Sequence, residues 1–135
     1  MATVKPSTYF YALGRRRSSS ARVRVMPGKG TIIVNEKPAS DYFADSSYIL
    51  ATLVEPFVAL DKDGQYDVSV RVNGGGHSGQ ADAIKLGIAR ALAQVSEDYK
   101  STLRRAEMLG RDPREKERKK FGLKKARKQR QFTKR

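Results

Sequence analysis

Hydrophobic and polar residues alternate over residues 21–26, as they do in a strand with one buried face. The side chains of Ala21, Val23 and Val25 would lie on one side of this strand. Arg22 and Arg24 would lie on the other. The pattern predicts a sheet with an apolar face and a basic face.

Three further segments are predicted to be strands. Residues 66–72 place valines inward and Arg71 outward, residues 9–13 form the first strand, and residues 31–34 are a β-branched run. The sequence Pro-Gly-Lys-Gly at 27–30 favours a turn, which predicts a hairpin between the second and third strands.

Helical spacing replaces alternation in the segments between and after these strands. A helix is predicted from Ser46, capped by Asp45 or Ser46 and kinked or divided at Pro56. An amphipathic helix over 81–95 and a last helix over 97–108 follow. Ser96 would cap the last helix, and Gly110 would terminate it. The sequence predicts an α+β two-layer sandwich, with a four-stranded sheet and helices on one face.

Charge divides the chain into two parts. Its 135 residues, the length of one domain, hold 28 Lys and Arg against 14 Asp and Glu, a net charge of +14. Residues 111–135 carry +10 of this, and few of them are apolar. We predict a globular domain over 1–110 and an extended basic tail over 111–135. Within the tail, Asp112, Pro113 and Glu115 would start a short helix through Lys120. A polyanionic partner is expected, although such tails are also found as solvated, disordered segments.

The composition excludes several kinds of chemistry. Without cysteine the chain has no disulfide, thiolate zinc site or cysteine nucleophile, and one histidine makes no histidine cluster. No apolar stretch has the length of a membrane span, and no signal peptide is visible. We therefore expect no catalytic residue, metal, cofactor or small-molecule substrate, and a cytoplasmic location.

A glycine-rich loop at 73–79 follows a predicted strand and opens a helix. Gly74, Gly76 and Gly79 match the spacing of a dinucleotide-binding fingerprint, but no later strand exists to supply the acid that holds the ribose. An enzyme that binds a nicotinamide dinucleotide is therefore the less favoured interpretation of this loop. Backbone N–H groups at the following helix would suit an RNA phosphate, although the glycines also suit a tight turn.

A second basic loop is predicted at 14–20, between the first two strands. It would present Arg15, Arg16 and Arg17 on a flexible turn, either to phosphates or simply to solvent. The aromatic residues 9–11 suit stacking on bases, but aromatic residues at strand spacing are more often core, which is the preferred interpretation.

Several segments of the chain together resemble the universal small-subunit ribosomal protein nine family, in its bacterial or organellar form. They are residues 14–17 with 21–23, residues 74–80, residues 87–92 and the tail. Arg17 and Thr133 depart from the usual lysine and serine but keep the charge and the hydroxyl.

The resemblance implies the fold of the second domain of ribosomal protein five, with a left-handed β-α-β crossover. It also implies a structural constituent of the ribosome that binds ribosomal RNA in the head of the small subunit, the 3′ major domain, as a monomer among neighbouring head proteins. Lys134 and Arg135 would reach the anticodon stem-loop of the peptidyl-site transfer RNA.

The residue patterns and the resemblance together predict a set of ribosomal RNA contacts. They are Arg15, Arg16, Arg17, Arg22, Arg24, Arg71, Gly75, Gly76, His77, Ser78, Gln80, Arg111, Arg114, Arg118, Lys119, Lys120, Lys124, Lys125, Arg127, Lys128 and Arg130. The alternative in another class is a non-ribosomal polyanion binder that also binds anionic membranes.

Overall fold

The computed structural model describes residues 9–44 and 46–131 of the chain. Its elements are β1 (Phe10–Arg16), β2 (Ser19–Pro27), β3 (Ile32–Val34), β4 (Lys37–Pro38), α1 (Ala39–Tyr42), α2 (Ser47–Ala59), β5 (Tyr66–Asn73), α3 (His77–Ala93) and α4 (Glu97–Arg105). The strands form one sheet in the order β1-β2-β5-β3-β4. The α+β class is confirmed, with five strands and not the predicted four.

The predicted hairpin between the second and third strands is wrong. β1 and β2 form the hairpin, while β5 lies between β2 and β3, antiparallel to the first and parallel to the second. The 27–30 turn instead crosses the start of β5. There the Asp67 carboxylate accepts hydrogen bonds from the backbone N–H groups of Lys29, Gly30 and Thr31 at 2.9–3.1 Å.

The strand missed by the sequence pattern is β4. It pairs with β3 through a two-residue turn at Asn35 and Glu36, whose φ angles are 49° and 70°. Glycine usually supplies such left-handed pairs, so the turn has no clear signature in the sequence. The chain then returns through α1 and α2 to β5, which completes a parallel β-α-β unit; its left-handed sense stays a prediction.

The core lies between the apolar face of the sheet and the helices. Val23 and Val25 of β2 and Ile84 and Ile88 of α3 have no exposed surface. Gly14 of β1 allows close contact with α3, because a Cβ there would lie 1.8 Å from the carbonyl oxygen of Ala83. Where a helix and a strand lie this close together, the interior tolerates little added volume.

The helices follow the predicted order with different limits. α2 continues through Pro56, whose side chain is buried, so the helix is not divided there. Ser46 precedes α2 but makes no side-chain cap, and Asp45 lies outside the described residues. α3 begins at His77, four residues before the predicted start.

The last helix ends earlier than predicted. The Ser96 cap is confirmed, since its hydroxyl accepts from the N–H of Asp98. α4 then ends at Arg105 because Glu107 adopts φ 60°, and the N–H of Met108 reaches the carbonyl of Leu103 at 3.0 Å. This is a Schellman motif built without glycine, so Gly110 is not the terminator.

Residues 111–131, which we call the basic segment, do not contain the predicted short helix. Asp112 instead accepts from both the backbone N–H and the guanidinium of Arg114. Farther along, Leu123 forms an isolated antiparallel bridge with Gln129. The division into a domain over 1–110 and a tail over 111–135 stays a prediction.

Candidate nucleic-acid interface

Over residues 9–44 and 46–131, the helices pack on one side of the sheet, and we call the other side the open face. It carries Tyr9, Tyr11, Arg22, Arg24 and Arg71. Arg22 and Arg24 are exposed while the alternate residues of β2 are buried, as the pattern predicts. The register places Arg22 directly opposite Arg71 on β5, so the two arginines lie on the same face of neighbouring strands.

Like charges directly opposite one another destabilise a sheet unless an anion lies between them. Arg71 donates to the Glu36 carboxylate at 2.9 Å, in a largely exposed pair. Within the described residues, the Arg22 side chain makes no ion pair or hydrogen bond. Ser20, Arg22, Arg71 and Asn73 line one groove, which leads to the glycine-rich loop.

The aromatic residues of β1 and its start divide between the two faces. Phe10 packs against the core, as preferred, but core placement is wrong for Tyr9 and Tyr11, each 45% exposed. The Arg24 guanidinium lies over the Tyr9 ring, 5.0 Å from its centroid. The open face therefore combines aromatic rings with arginines, as nucleic-acid-binding sheets do.

The flexible loop predicted at 14–20 is wrong. β1 continues to Arg16 and β2 begins at Ser19, so only Arg17 and Ser18 form the turn. Arg15 and Arg17 are exposed. The Arg16 side chain is only 12% exposed, and it pairs with two carboxylates.

Those pairs connect the body to the basic segment. Arg16 lies 3.6 Å from Asp82 of α3 and 3.2 Å from Asp112, and it donates to the carbonyl of Arg114 at 3.0 Å. Hydrogen bonds from Arg114, supported by the charge of Arg16, hold the pKa of Asp112 well below its usual range. Arg16 thus holds the start of the basic segment against α3, and its RNA contact stays a prediction.

The glycine-rich loop is held from beneath by side-chain hydrogen bonds. The carbonyl of Gly74 accepts from the Ser19 hydroxyl and from the Gln80 amide, each at 3.0 Å. Gly74 and Gly75 adopt φ 78° and 64°, and a Cβ on Gly75 would lie 2.2 Å from the Ser19 hydroxyl oxygen. Above the loop, a Cβ on Gly76 would meet nothing within 4 Å.

Predicted contacts in this loop differ in accessibility. Gly75, Gly76, His77 and Ser78 are exposed at the start of α3, where N–H groups point outward. Gln80 is buried and also accepts from the Tyr42 hydroxyl at 2.8 Å. Gln80 therefore supports the loop, and its RNA contact stays a prediction.

The predicted cations of the basic segment are mostly exposed. Glu117 accepts from Lys120 and, at 2.9 Å, from Arg127, and these bonds lower the pKa of Glu117. Arg111 lies 3.9 Å from Glu115. The remaining predicted contacts are exposed: Arg114, Arg118, Lys119, Lys124, Lys125, Lys128 and Arg130. Lys134 and Arg135 lie outside the described residues.

Two further observations concern metal binding and membrane-spanning helices. Over residues 9–44 and 46–131, no group of three or more His, Cys, Asp or Glu side chains is arranged to hold a metal ion. In the same part of the chain, no helix is both long and apolar enough to cross a membrane. Fold and surface are together typical of a basic protein that binds a polyanion.

Comparison with known proteins identifies the class. Residues 14–135 match the family model described as ribosomal protein S9/S16. The chain is 55% identical over 126 residues to small ribosomal subunit protein uS9 of Mycoplasma mobile, covering 93% of this chain and 96% of that protein. It is 49% identical over 135 residues to small ribosomal subunit protein uS9 of Prochlorococcus marinus, covering both chains completely.

The chain belongs to the ribosomal protein S9/S16 family, the uS9 proteins of the small ribosomal subunit. Its role is structural rather than catalytic. The glycine-rich loop accordingly serves a ribosomal protein and not a dinucleotide enzyme.

Proposed function

We propose that this chain binds the ribosomal RNA of the small-subunit head, the 3′ major domain, by contacts to phosphates. The observation that carries the proposal is the facing pair Arg22 and Arg71, which share one groove with the end of β5. An RNA strand along this groove would place one phosphate between the guanidinium groups. The next phosphates would reach the N–H groups of the glycine-rich loop at the start of α3.

The basic segment offers a second set of cations, and most of them are exposed. Arg16 holds the start of this segment against α3. We propose that the segment lies as an extended arm among RNA strands, where the loss of repulsion between its own charges and the release of counterions favour binding. Within the cytoplasmic ribosome the chain is a monomer that packs beside other head proteins.

The salt dependence of RNA binding tests the electrostatic part of this proposal. About eight contacts between the arm and duplex phosphates would give a slope of log affinity against log salt near minus seven. The measurement uses the full chain and small-subunit head RNA over a range of salt concentrations. A slope near zero contradicts the proposal, and tight binding to anionic vesicles without co-sedimentation with ribosomal particles supports the membrane alternative.

We further propose that Lys134 and Arg135 contact the peptidyl-site transfer RNA, since they are the last two cations of residues 111–135, whose net charge is +10. Deleting both residues should weaken transfer RNA binding in that site several-fold, while subunits still assemble. Filter binding with reconstituted subunits measures this, and replacing both residues with alanine, which keeps the chain length, should weaken the binding as well. Unchanged transfer RNA affinity after the double deletion would refute the contact.

A further inference from the structure

The open face presents more than positive charge. Tyr9 and Tyr11 are each 45% exposed, although tyrosine rings on a strand usually pack against something. They lie on the same side of the sheet as Arg22, Arg24 and Arg71, while Phe10 between them packs on the core. Alternation has therefore divided the aromatic run between two faces.

The register places these side chains in rows across the strands. Tyr11 of β1 lies beside Arg24 of β2, and Arg24 lies beside Ser69 of β5. The next row on the same face begins two residues farther along β1, and its members are Leu13, Arg22 and Arg71. A row with an aromatic ring at its end thus runs parallel to a row with two guanidinium groups.

Unpaired nucleotides fit this arrangement better than a duplex does. In an RNA duplex the bases are stacked on one another and cannot lie flat on a side chain. An unpaired strand offers base faces to aromatic rings and phosphates to arginines at neighbouring positions. At one end of the face the Arg24 guanidinium already lies over the Tyr9 ring, 5.0 Å from its centroid.

We propose that the open face binds an unpaired RNA segment, with one base stacked on Tyr11 and its neighbouring phosphates between Arg22 and Arg71. This inference rests on the proposed RNA-binding function and specifies the form of RNA that the face selects. The charge of the face and of the whole chain, +14, favours RNA over an apolar protein surface as the occupant.

Paired binding measurements on the full-length chain test the stacking contact. The probes are a ten-nucleotide oligouridylate and a ten-base-pair RNA duplex. Tyr11→Leu should bind the oligouridylate about tenfold more weakly, because base stacking is lost, and the duplex within twofold of the unchanged protein. Tyr11→Phe keeps the ring and should keep the affinity. Tyr48→Leu is the matched control, since Tyr48 is 79% exposed on α2.

The salt slope separates stacking from charge. Tyr11→Leu should leave the slope unchanged, whereas Arg22→Gln should reduce it by about 0.7 for a single strand. An oligouridylate with one 5-iodouridine should crosslink on irradiation to Tyr9 or Tyr11, located by peptide mass spectrometry. Crosslinks confined to the basic segment would overturn the inference.

The outcomes distinguish the two proposals. If the unchanged protein binds neither RNA, the proposed function fails. If it binds both and Tyr11→Leu behaves like Tyr48→Leu, only the stacking inference fails. The inference is also overturned if Tyr11→Leu keeps its oligouridylate affinity but enters small subunits poorly, because the face then contacts a protein.

Discussion

Arg22 on β2 and Lys119 in the basic segment are both exposed cations, but different interactions position them. Arg22 projects from a strand whose alternate residues are fully buried, so packing of those residues in the core holds the backbone at Arg22 in place. Lys119 lies in a segment whose described side-chain contacts are mainly exposed ion pairs, such as Arg127 with Glu117. Exposed pairs contribute about 0–1 kcal/mol each.

The difference shows that the two regions contribute to binding in different ways. A cation on a rigid sheet presents a fixed pattern and recognises the shape of its partner. A cation on a chain held by weak pairs contributes affinity that depends on salt, with little selectivity. Substitutions at buried positions of the body should therefore alter folding, while those in the basic segment should alter only binding.

Gly14→Ala should give the largest effect on the body. The new Cβ would lie 1.8 Å from the carbonyl oxygen of Ala83, so α3 must move away from β1. We expect a loss of more than about 4 kcal/mol in the free energy of unfolding, measured by urea denaturation. Gly110→Ala, where nothing lies within 4 Å, should be nearly neutral. A Gly14→Ala midpoint equal to that of the unchanged protein would contradict this packing.

Ile88→Ala should have the next largest effect. Ile88 is completely buried, so the substitution leaves a cavity and should cost about 3 kcal/mol in unfolding free energy. The matched substitution in the basic segment, Phe121→Ala, removes a ring that is 101% exposed and should cost less than about 0.5 kcal/mol. Equal costs at the two positions would mean that the basic segment is part of the folded core.

The effect of Asp67→Asn should be smaller and should depend on pH. Hydrogen bonds from the backbone N–H groups of Thr31, Lys29 and Gly30 hold the pKa of Asp67 below its ordinary value. A carboxyl with a lowered folded-state pKa stabilises the fold above its unfolded pKa, near pH 4, and loses that contribution as pH falls through the folded pKa. Asp67→Asn should lower the Tm at pH 7 and flatten its decline below pH 4.

Glu117→Gln is the corresponding change in the basic segment. The pKa of Glu117 is also lowered, mainly by hydrogen bonds from Lys120 and Arg127, but both partners lie in the same segment. The Tm of the body should therefore keep its pH dependence in this variant. Scanning calorimetry between pH 2 and 7 compares the two variants. If the Tm of Glu117→Gln declines less below pH 4 than that of the unchanged protein, Glu117 contributes to the stability of the body and this prediction is wrong.

Local alternation predicted the faces of β2 and β5 because a period of two residues is enough to separate Val23 from Arg22. The order of the strands could not be predicted in this way. It depends on contacts between segments that are distant in the chain, such as the bond from Thr31 to Asp67, 36 residues later, which forms only when both segments meet. The same limitation applied to Gly14 and Arg16, which were assigned to an open loop although their contacts are on α3.

The exposure of the candidate site residues was predicted best where the charge itself is the signal. Arg22, Arg24 and Arg71 follow directly from the strand pattern, and the exposed cations after Gly110 follow from composition. For Tyr9 and Tyr11 the preferred interpretation, a place in the core, is wrong, because aromatic residues at strand spacing usually indicate core but these two lie on the open face. Alternation around Phe10 places both tyrosines on the opposite side of β1 from Phe10. Pairing of Tyr11 with Arg24 then puts that side on the same face as the outward arginines of β2.

The central position of β5 has a consequence for synthesis of the chain. β2 ends at Pro27 and its second neighbour ends at Asn73, 46 residues later, so a ribosome making about 5–20 residues per second exposes one edge of β2 for roughly 2–9 s. Edge strands avoid aggregation by carrying charged side chains. The arginines that alternate along β2 therefore also protect the nascent hairpin from pairing with other chains before β5 emerges.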